Sequence, residues 1–585
     1  MANLITEHMG IWTAAQTPKT NGGRGRGKNS NGQNSHGIKK LRELILELAV
    51  RGKLVPQDPN DEPASVLLEK IAKKKKRLIK EGKVKKQKPL PAIQEDEKPF
   101  ELPQGWAWVR LPEISTYKPG KTPSTKNPIY WSEDANGIPW VSISDMEHFG
   151  WINDTNKKVT QEAADNIFRY EVIPAGTLLM SFKLTVGKIS ILKVDAYHNE
   201  AIISIEPFKG MCKGYLFKFL PNRAESGKTK KAIKGRTLNS KSLALLLVPV
   251  PPVAEQHRIV AKVDELMALC DRLEQQQTDS NDTHQTLVEN LLAPLTQAAD
   301  QRECAKAWQR IADHFDSLFT TEQSIDQLKQ TLLQLAIMGK LVPQDPNDQP
   351  AGTLLKKIAK EKKRLIKEGK IKKQKPLPEI GEDEKPFELP ERWEWVRFGN
   401  VGGILGGGTP NKSTSAFWDG EIPWISPKDM KVDYISDSLD KITTEAVEKS
   451  SAKIIPANSL LIVVRGMILS HSFPTAINLV PVTINQDMKA VVLNGYERSF
   501  ILLMIKGLKN EFVDMVEHST HGTCKIVSDK LWNKVLAIPP APEQRRIIAK
   551  VDKLMALCDK LKARLNETQN TQLQLADAIV EKAVA

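Results

Sequence analysis

Gly52-Lys53-Leu54-Val55-Pro56-Gln57-Asp58-Pro59-Asn60-Asp61 returns as Gly339-Lys340-Leu341-Val342-Pro343-Gln344-Asp345-Pro346-Asn347-Asp348, and this pairing decides the fold. The offset is constant, since Lys340 follows Lys53 by 340 − 53 = 287 places and Trp393 follows Trp106 by 393 − 106 = 287 places. A 585-residue chain that repeats after about half its length is a tandem duplication of one large unit, far longer than a solenoid or propeller repeat. Each half is expected to do the same job once.

Just before the repeat, Ile38, Leu41, Ile45 and Leu48 recur at helical spacing, with Gly52 placed to stop the helix. Ile325, Leu328, Leu332 and Leu335, stopped by Gly339, are the counterpart. After the Pro-Gln-Asp-Pro turn comes a Lys-rich helix, Ser65 to Lys80, then Lys83, Lys85, Lys86 and Lys88, and this recurs over Lys356 to Lys375. It reads either as a phosphate-contacting arm or as a solvated helical hairpin.

Pro99-Phe100-Glu101-Leu102-Pro103 and Pro386-Phe387-Glu388-Leu389-Pro390 open two regions of different texture. Short β-prone runs such as Ile138 to Ile143, Leu178 to Met180, Ile189 to Leu192 and Ala201 to Ile205 alternate there with Gly, Pro and aromatics. The second region offers Ile422 to Ile425, Leu460 to Val464 and Ala490 to Leu493. Each reads as a mixed α/β, strand-rich domain, with helices near Gln161 to Phe168 and Tyr215 to Leu220 in the first. A frame that repeats around divergent inserts suggests identical mounts carrying different readers.

Each region closes with a Pro-rich step, Pro251-Pro252-Val253-Ala254-Glu255-Gln256 or Pro539-Pro540-Ala541-Pro542-Glu543-Gln544, into a long helix. A 4-3 spacing runs through Ile259, Val263, Leu266, Cys270 and Leu273 in the first, and through Ile547, Val551, Leu554, Cys558 and Leu561 in the second. Such seams predict a coiled coil, most simply one long helix against the other; amphipathic helices lying on domain cores are the alternative. Trp308, Ile311, Phe315 and Phe319 suggest a further helix joining the halves.

Residues 1–37 include Gly22-Gly23-Arg24-Gly25-Arg26-Gly27-Lys28-Asn29 and read as a flexible Gly/Arg-rich head. Gly22, Gly27 and Lys28 nearly spell a phosphate loop, but Asn29 replaces the Ser or Thr and no apolar strand precedes it. Ser226-Gly227-Lys228-Thr229 fails as well, because Asn222 stands where the first Gly is required.

The excess of 85 Lys and Arg over 70 Asp and Glu gives a net charge of +15, which favours a polyanionic partner such as nucleic acid. The five cysteines, Cys212, Cys270, Cys304, Cys524 and Cys558, are scattered, which fits reduced thiols in a cytoplasm. No apolar run approaches the ~18 residues of a membrane helix, and the start has no signal-peptide pattern, so a soluble, cytoplasmic protein is expected.

The chain lacks the N-P-P-[FY] and D-P-P-Y motifs of amino-methyltransferases, a Gly-rich methyl-donor loop, G-x-S-x-G and H-E-x-x-H. His518-x-x-His521-x-x-Cys524 has metal-like spacing but no fourth ligand nearby and no equivalent in the first half, so no metal is expected. The sequence reads as a binder.

The twofold layout, the Leu-Ile-Lys-Glu-Gly-Lys hairpin leading to Pro-Phe-Glu-Leu-Pro and Trp-x-Trp-Val, the Ile-Pro-Trp near the start of each variable region and the Pro-Pro-x-x-Glu-Gln helix start together resemble the specificity subunit of type I restriction-modification enzymes. The resemblance covers nearly everything from about residue 38 to the end. It implies two strand-rich α/β target-recognition domains in pseudo-twofold arrangement, separated by long antiparallel coiled-coil helices. Each domain would read one half of an asymmetric bipartite site in double-stranded DNA. It implies a non-catalytic chain that binds no cofactor itself. Partners would be two methyltransferase (modification) subunits using S-adenosylmethionine, and restriction/translocase subunits using ATP and Mg.

On this layout the segments are the head, 1–37; a scaffold segment, 38–98; recognition domain one, 99–250; spacer helix and connector, 251–325; the second scaffold segment, 326–385; recognition domain two, 386–538; and the C-terminal spacer helix, 539–585. Candidate DNA contacts in the first reader are Lys118, Lys121, Thr122, Ser124, Lys126, Lys183, Lys228, Lys230, Lys231, Lys234 and Arg236. In the second they are Asn411, Lys412, Ser413, Thr414, Arg465, His471, Lys525 and Lys530. Arg, Lys, Asn and Gln can read base edges, and the rest can anchor phosphates. The rival readings are a coiled-coil adaptor that binds proteins only and a self-sufficient restriction or modification enzyme.

Overall fold

The computed structural model describes residues 2–18, 33–84, 89–134, 136–226, 230–232, 235–238, 240–298, 301–368, 375–493, 495–518 and 524–584. Its scaffold helices are α1 (His36–Val50), α2 (Ala64–Lys80), α3 (Val253–Gln297), α4 (Glu322–Ile337), α5 (Ala351–Lys367) and α6 (Ala541–Val584). The chain forms two compact units, Met1–Asp279 with Thr568–Ala585, and Ser280–Glu567. Each unit therefore contains the start of one long helix and the end of the other.

In the first unit α1 buries Ile38, Leu41, Leu44, Ile45 and Leu48. It stops where Gly52 adopts φ +67, a conformation that strains any side chain, and where an added Cβ would meet Pro103 at 2.4 Å. The α3 stripe Ile259, Val263, Leu266 and Cys270 is buried in the same core as α1, with Leu273 at its edge. Ala576, Ile579 and Val580 of α6 join that core, so three helices share the stripe. Arg42 of α1 reaches Asp271 at 2.6 Å and Glu274 at 2.8 Å, while His36 meets Asp577 at 3.1 Å.

The second unit repeats the plan. Ile547 and Val551 enter the core of the recognition domain, whereas Cys558, with Leu554 and Leu561, packs with Ile325, Leu328, Leu332 and Leu335 of α4. Val288, Leu292 and Leu295 from the end of α3 complete that cluster. The connector contains helices at Gln301–Asp313 and Phe315–Leu318.

The N-terminal segment departs from the flexible head expected over 1–37. Ala2–Glu7 and Met9–Ala14 are helical, and Ile5 and Trp12 are buried in the core of the first unit. Gly37 permits this packing, because a Cβ there would lie 2.3 Å from the Trp12 carbonyl oxygen. Two large apolar side chains are enough to bring a short segment onto a helix face. The Gly/Arg-rich tract around Gly22 to Asn29 lies outside the described residues.

The recognition domains share one topology. In the first, β1 (Ser115–Pro119), β2 (Gly150–Ile152), β3 (Leu178–Ser181), β4 (Ile189–Leu192) and β5 (Ile202–Pro207) lie in the order β1-β5-β3-β4-β2. In the second, β6 (Gly402–Gly406), β7 (Tyr434–Ile435), β8 (Leu460–Val463), β9 (Thr475–Asn478) and β10 (Met488–Leu493) lie in the order β6-β10-β8-β9-β7. Both sheets are antiparallel except at the β2–β4 and β7–β9 pairs. The central strands β3 and β8 are buried along their whole length, which is why they read as unbroken apolar runs.

Each domain is closed where it begins and ends. Ala107–Arg110 pairs antiparallel with Leu247–Val250, and Glu394–Arg397 with Val535–Ile538. Arg110, 1% exposed, donates to the carbonyls of Pro91 and Leu245 and to Glu97; Arg397 repeats this with Pro378, Asn533 and Glu384. The Arg397 guanidinium and the Gly381 N–H hold the Glu384 carboxyl down at about 2.

Candidate nucleic-acid interface

The 287-residue offset continues into the variable regions. Gly120-Lys121-Thr122-Pro123 and Gly407-Gly408-Thr409-Pro410 form equivalent loops after β1 and β6. Two tryptophans support each loop from beneath. Trp131 donates to the Ser124 carbonyl at 3.1 Å and Trp140 to the Lys121 carbonyl at 3.0 Å; Trp418 donates to Asn411 at 3.2 Å and Trp424 to Gly408 at 3.0 Å. The rings meet edge to face in both domains, 5.0 and 5.3 Å apart. Gly120 and Gly407 are required by close approach, since a Cβ at either would lie 1.9 Å from the carbonyl oxygen of His198 or Asn485.

The loop threonines meet different partners in the two domains. Thr122 Oγ1 donates to Glu200 Oε2, whereas Thr409 Oγ1 donates to Gln486 Oε1. Beneath the first loop His198 is buried, and loss of hydration lowers its pKa to about 4. Ile484 takes its place in the second domain, pairing with Ile425 as His198 pairs with Val141.

A β-finger forms the second element. In the first domain Lys230–Ala232 pairs with Gly235–Thr237, which pairs in turn with Lys183–Leu184. In the second, Val516–His518 pairs with Cys524–Ile526, and Arg465 bridges to Lys525. Hydrogen bonds from Leu238 N to the Phe182 carbonyl and from Ile526 N to the Val464 carbonyl anchor the two fingers alike.

The predicted contacts thus divide. Lys118, Ser124 and Lys126 are exposed on or beside the first loop, and Lys183 is half-buried with its ammonium 5.3 Å from the Phe182 ring. Lys230, Lys231 and Arg236 lie on the finger strands; Lys228 and Lys234 lie outside the described residues. Lys121 is exposed, with its ammonium donating to the Ile167 carbonyl at 2.7 Å, and Thr122 is engaged by Glu200. In the second domain Asn411 shapes its own turn by accepting from Ser413, Thr414 closes that turn, and Lys412 and Ser413 are exposed. Arg465 and Lys525 come together, whereas His471 bonds Ser470 at 3.0 Å and Lys530 pairs with Glu517 at 3.0 Å.

Glu200, Gln486 and Lys489 are exposed or partly exposed polar residues at this surface that residue-type reasoning passed over. The repeated Gly-x-Thr-Pro was the signal that could have found the first two. Of the metal-like trio, His518 and Cys524 face each other at 3.4 Å, His521 lies outside the described residues, and no cluster of three or more potential ligands occurs among the described residues. In the Lys-rich helix α2, Lys75 is not available to phosphate: it donates to the Pro112 carbonyl at 2.7 Å, and burial lowers its pKa.

Both domains are mounted by the same joint at the start of the long helices. Glu255 accepts from Trp106 Nε1 at 2.9 Å and Gln57 Nε2 at 2.7 Å, beside an Arg258–Asp61 ion pair at 2.6 Å. Glu543 accepts from Trp393 at 3.0 Å and Gln344 at 2.7 Å, beside Arg546–Asp348 at 2.7 Å. Burial raises both carboxyls, and the donors oppose the rise. The repeated Pro-Gln-Asp-Pro and Glu-Gln motifs are the two sides of this joint.

Residues 103–280 and 390–569 match the type I restriction modification DNA specificity domain. The chain belongs to the type I restriction-modification specificity-subunit family. It is 39% identical to the type I restriction enzyme EcoAI specificity subunit of Escherichia coli, over 99% of both chains. It is also 39% identical to the EcoEI specificity subunit of the same organism, again over 99% of each. A chain from a solved type I R-M system is 20% identical, covering 83% of this chain and 99% of its own length at a TM-score of 0.46. Specificity subunits are the non-catalytic component of their enzymes. No helix among the described residues is long and apolar enough to cross a membrane.

Proposed function

We propose that each recognition domain reads one half of an asymmetric, two-part sequence in double-stranded DNA, through its Gly-x-Thr-Pro loop and its β-finger. The observation that carries this is one sheet order and one loop support repeated in both domains, with different side chains displayed on them. A binder with two identical tasks would need no such divergence. The net charge of +15 supplies the sequence-independent attraction to phosphates. The long helices, with 45 residues in α3 and 44 in α6, set the number of base pairs between the half-sites.

Two methyltransferase subunits dock on the repeated scaffold, one per copy. Equivalent grooves of about 800 Å³ support this, one lined by Phe100, Leu102, Trp106 and Trp108 and the other by Phe387, Leu389, Trp393 and Trp395. Their aromatic pairs match in detail, with centroids 5.0 Å apart in each and planes at 58° and 57°. Restriction/translocase subunits complete the enzyme in the cytoplasm, with S-adenosylmethionine, ATP and Mg held by the partners. Footprinting of the chain with its methyltransferase subunits tests the proposal. It predicts a two-part footprint that weakens steeply with salt; a single continuous footprint, or protection indifferent to sequence, would refute it.

A further inference from the structure

In the second domain a pocket of about 410 Å³ opens between the loop and the finger, and its polar lining includes Arg465, Gln486, Lys489, Lys525, Ser528 and Asp529. Three cations and one carboxylate, Asp529, line it. Among the described residues Arg465, Lys489 and Lys525 make no side-chain ion pair, although pairs abound elsewhere on the surface. Like charges gathered around a concave site repel one another until an acceptor-rich ligand enters.

Register shows that Lys489 stands where the first reader has an apolar residue. Lys489 pairs with Gly406 and Ile462 at the place where Ile203, fully buried, pairs with Pro119 and Met180. With glycine at 406, the Lys489 ammonium can lie 3.2 Å from the position a Cβ would occupy there. Gln486 adds direction. Its Oε1 accepts from Thr409, which leaves Nε2 as the group that meets a ligand. The equivalent Glu200 accepts from Thr122 with one oxygen and presents its other oxygen, a pure acceptor.

We propose that the Arg465–Gln486–Lys489–Lys525 pocket reads an acceptor-rich base edge, the O6 and N7 side of guanine, within the second half-site. The position shared by Gln486 and Glu200 then sets whether a domain prefers a base presenting acceptors or one presenting an amino group. Arg and Lys pair with guanine O6 and N7, whereas carboxylates accept from cytosine N4. Phosphate shares the acceptor chemistry of guanine, and the experiment separates the two.

The inference rests on the two-reader proposal, so its test keeps the two apart. In the complex with the methyltransferase subunits, methylation is measured on duplexes varied base by base in each half-site, for the native chain, Gln486→Glu and Lys489→Met. Gln486 is exposed, so its substitution leaves the fold intact. Base reading predicts that Gln486→Glu shifts preference at a position of the second half-site by about 10-fold or more towards a pair presenting an amino group. Lys489→Met relaxes discrimination within the same half-site, and the first half-site is unaffected by either. A uniform loss across all sequences, with a shallower salt dependence, would overturn base reading in favour of a phosphate anchor. Native preference untouched by both variants would also overturn it. A native chain indifferent to the second half-site would instead refute the two-reader proposal.

Discussion

The two recognition domains have the same sheet order, the same paired tryptophans and the same buried arginine lock, yet they differ at several positions in and beside the loop floor. His198, Glu200 and Ile203 in one stand against Ile484, Gln486 and Lys489 in the other. The fingers differ similarly, with Lys183 and Thr237 against Arg465 and Lys525 at equivalent strand positions. The joints behind the domains agree to within about a tenth of an ångström in their hydrogen bonds, 2.9 and 2.7 Å against 3.0 and 2.7 Å. Change is therefore concentrated where DNA would be met, and sameness where the domain is held.

The sharpest way to break this comparison is at the joints. Glu255→Ala leaves a buried indole N–H and an amide without their acceptor, and is expected to cost about 3 kcal/mol. Glu543→Ala should cost the same to within about 0.5 kcal/mol. Chemical unfolding of the two variants checks this, and a large inequality would mean that the mounts are not equivalent.

The loop floors should differ in their response to acid. The folded pKa of His198 lies near 4 against an ordinary value of 6.5, so the unfolded chain binds the proton first. The neutral ring is at no disadvantage above pH 6.5, and stability is lost as pH falls from 6.5 towards 4, by up to about 3 kcal/mol. His198→Ile should remove that component of the pH slope, and Ile484→His should install it in the second domain. Thermal melting of these variants between pH 4 and 7 distinguishes the outcomes. Smaller again, Trp140→Phe and Trp424→Phe each delete one indole donor beneath a loop, at about 1 kcal/mol. Each should weaken reading of its own half-site only, as measured by methylation of single-half variants.

Much of this architecture was legible because the duplication kept its register. Ile38 to Leu48 and Ile325 to Leu335 announced the short helices, and the shared Gly52 and Gly339 announced their ends. The unbroken apolar runs at Leu178 and Leu460 became the central strands of the sheets. The long-helix stripes were visible too, but a 4-3 pattern does not name its partner, and the short helices α1 and α4 share it. The loops were legible in Gly-x-Thr-Pro, still at offset 287. Equivalences within the sheets and fingers were not, because insertions and deletions move the offset to 489 − 203 = 286, 465 − 183 = 282 and 525 − 237 = 288. Only strand pairing reveals that Lys489 occupies a buried isoleucine's place. At the N-terminus the Gly/Arg-rich tract dominated the composition and hid the core side chains Ile5 and Trp12.

The central claim is that one mount carries either reader. Residues 111–246 grafted in place of 398–534, between strands that pair identically in both copies, give a chain with the first reader in both mounts. Methylated bases mapped genome-wide in cells carrying this chain and its partner subunits should define a target whose halves are the same sequence on opposite strands, with the original first half retained. A target that keeps the original second half would contradict the account.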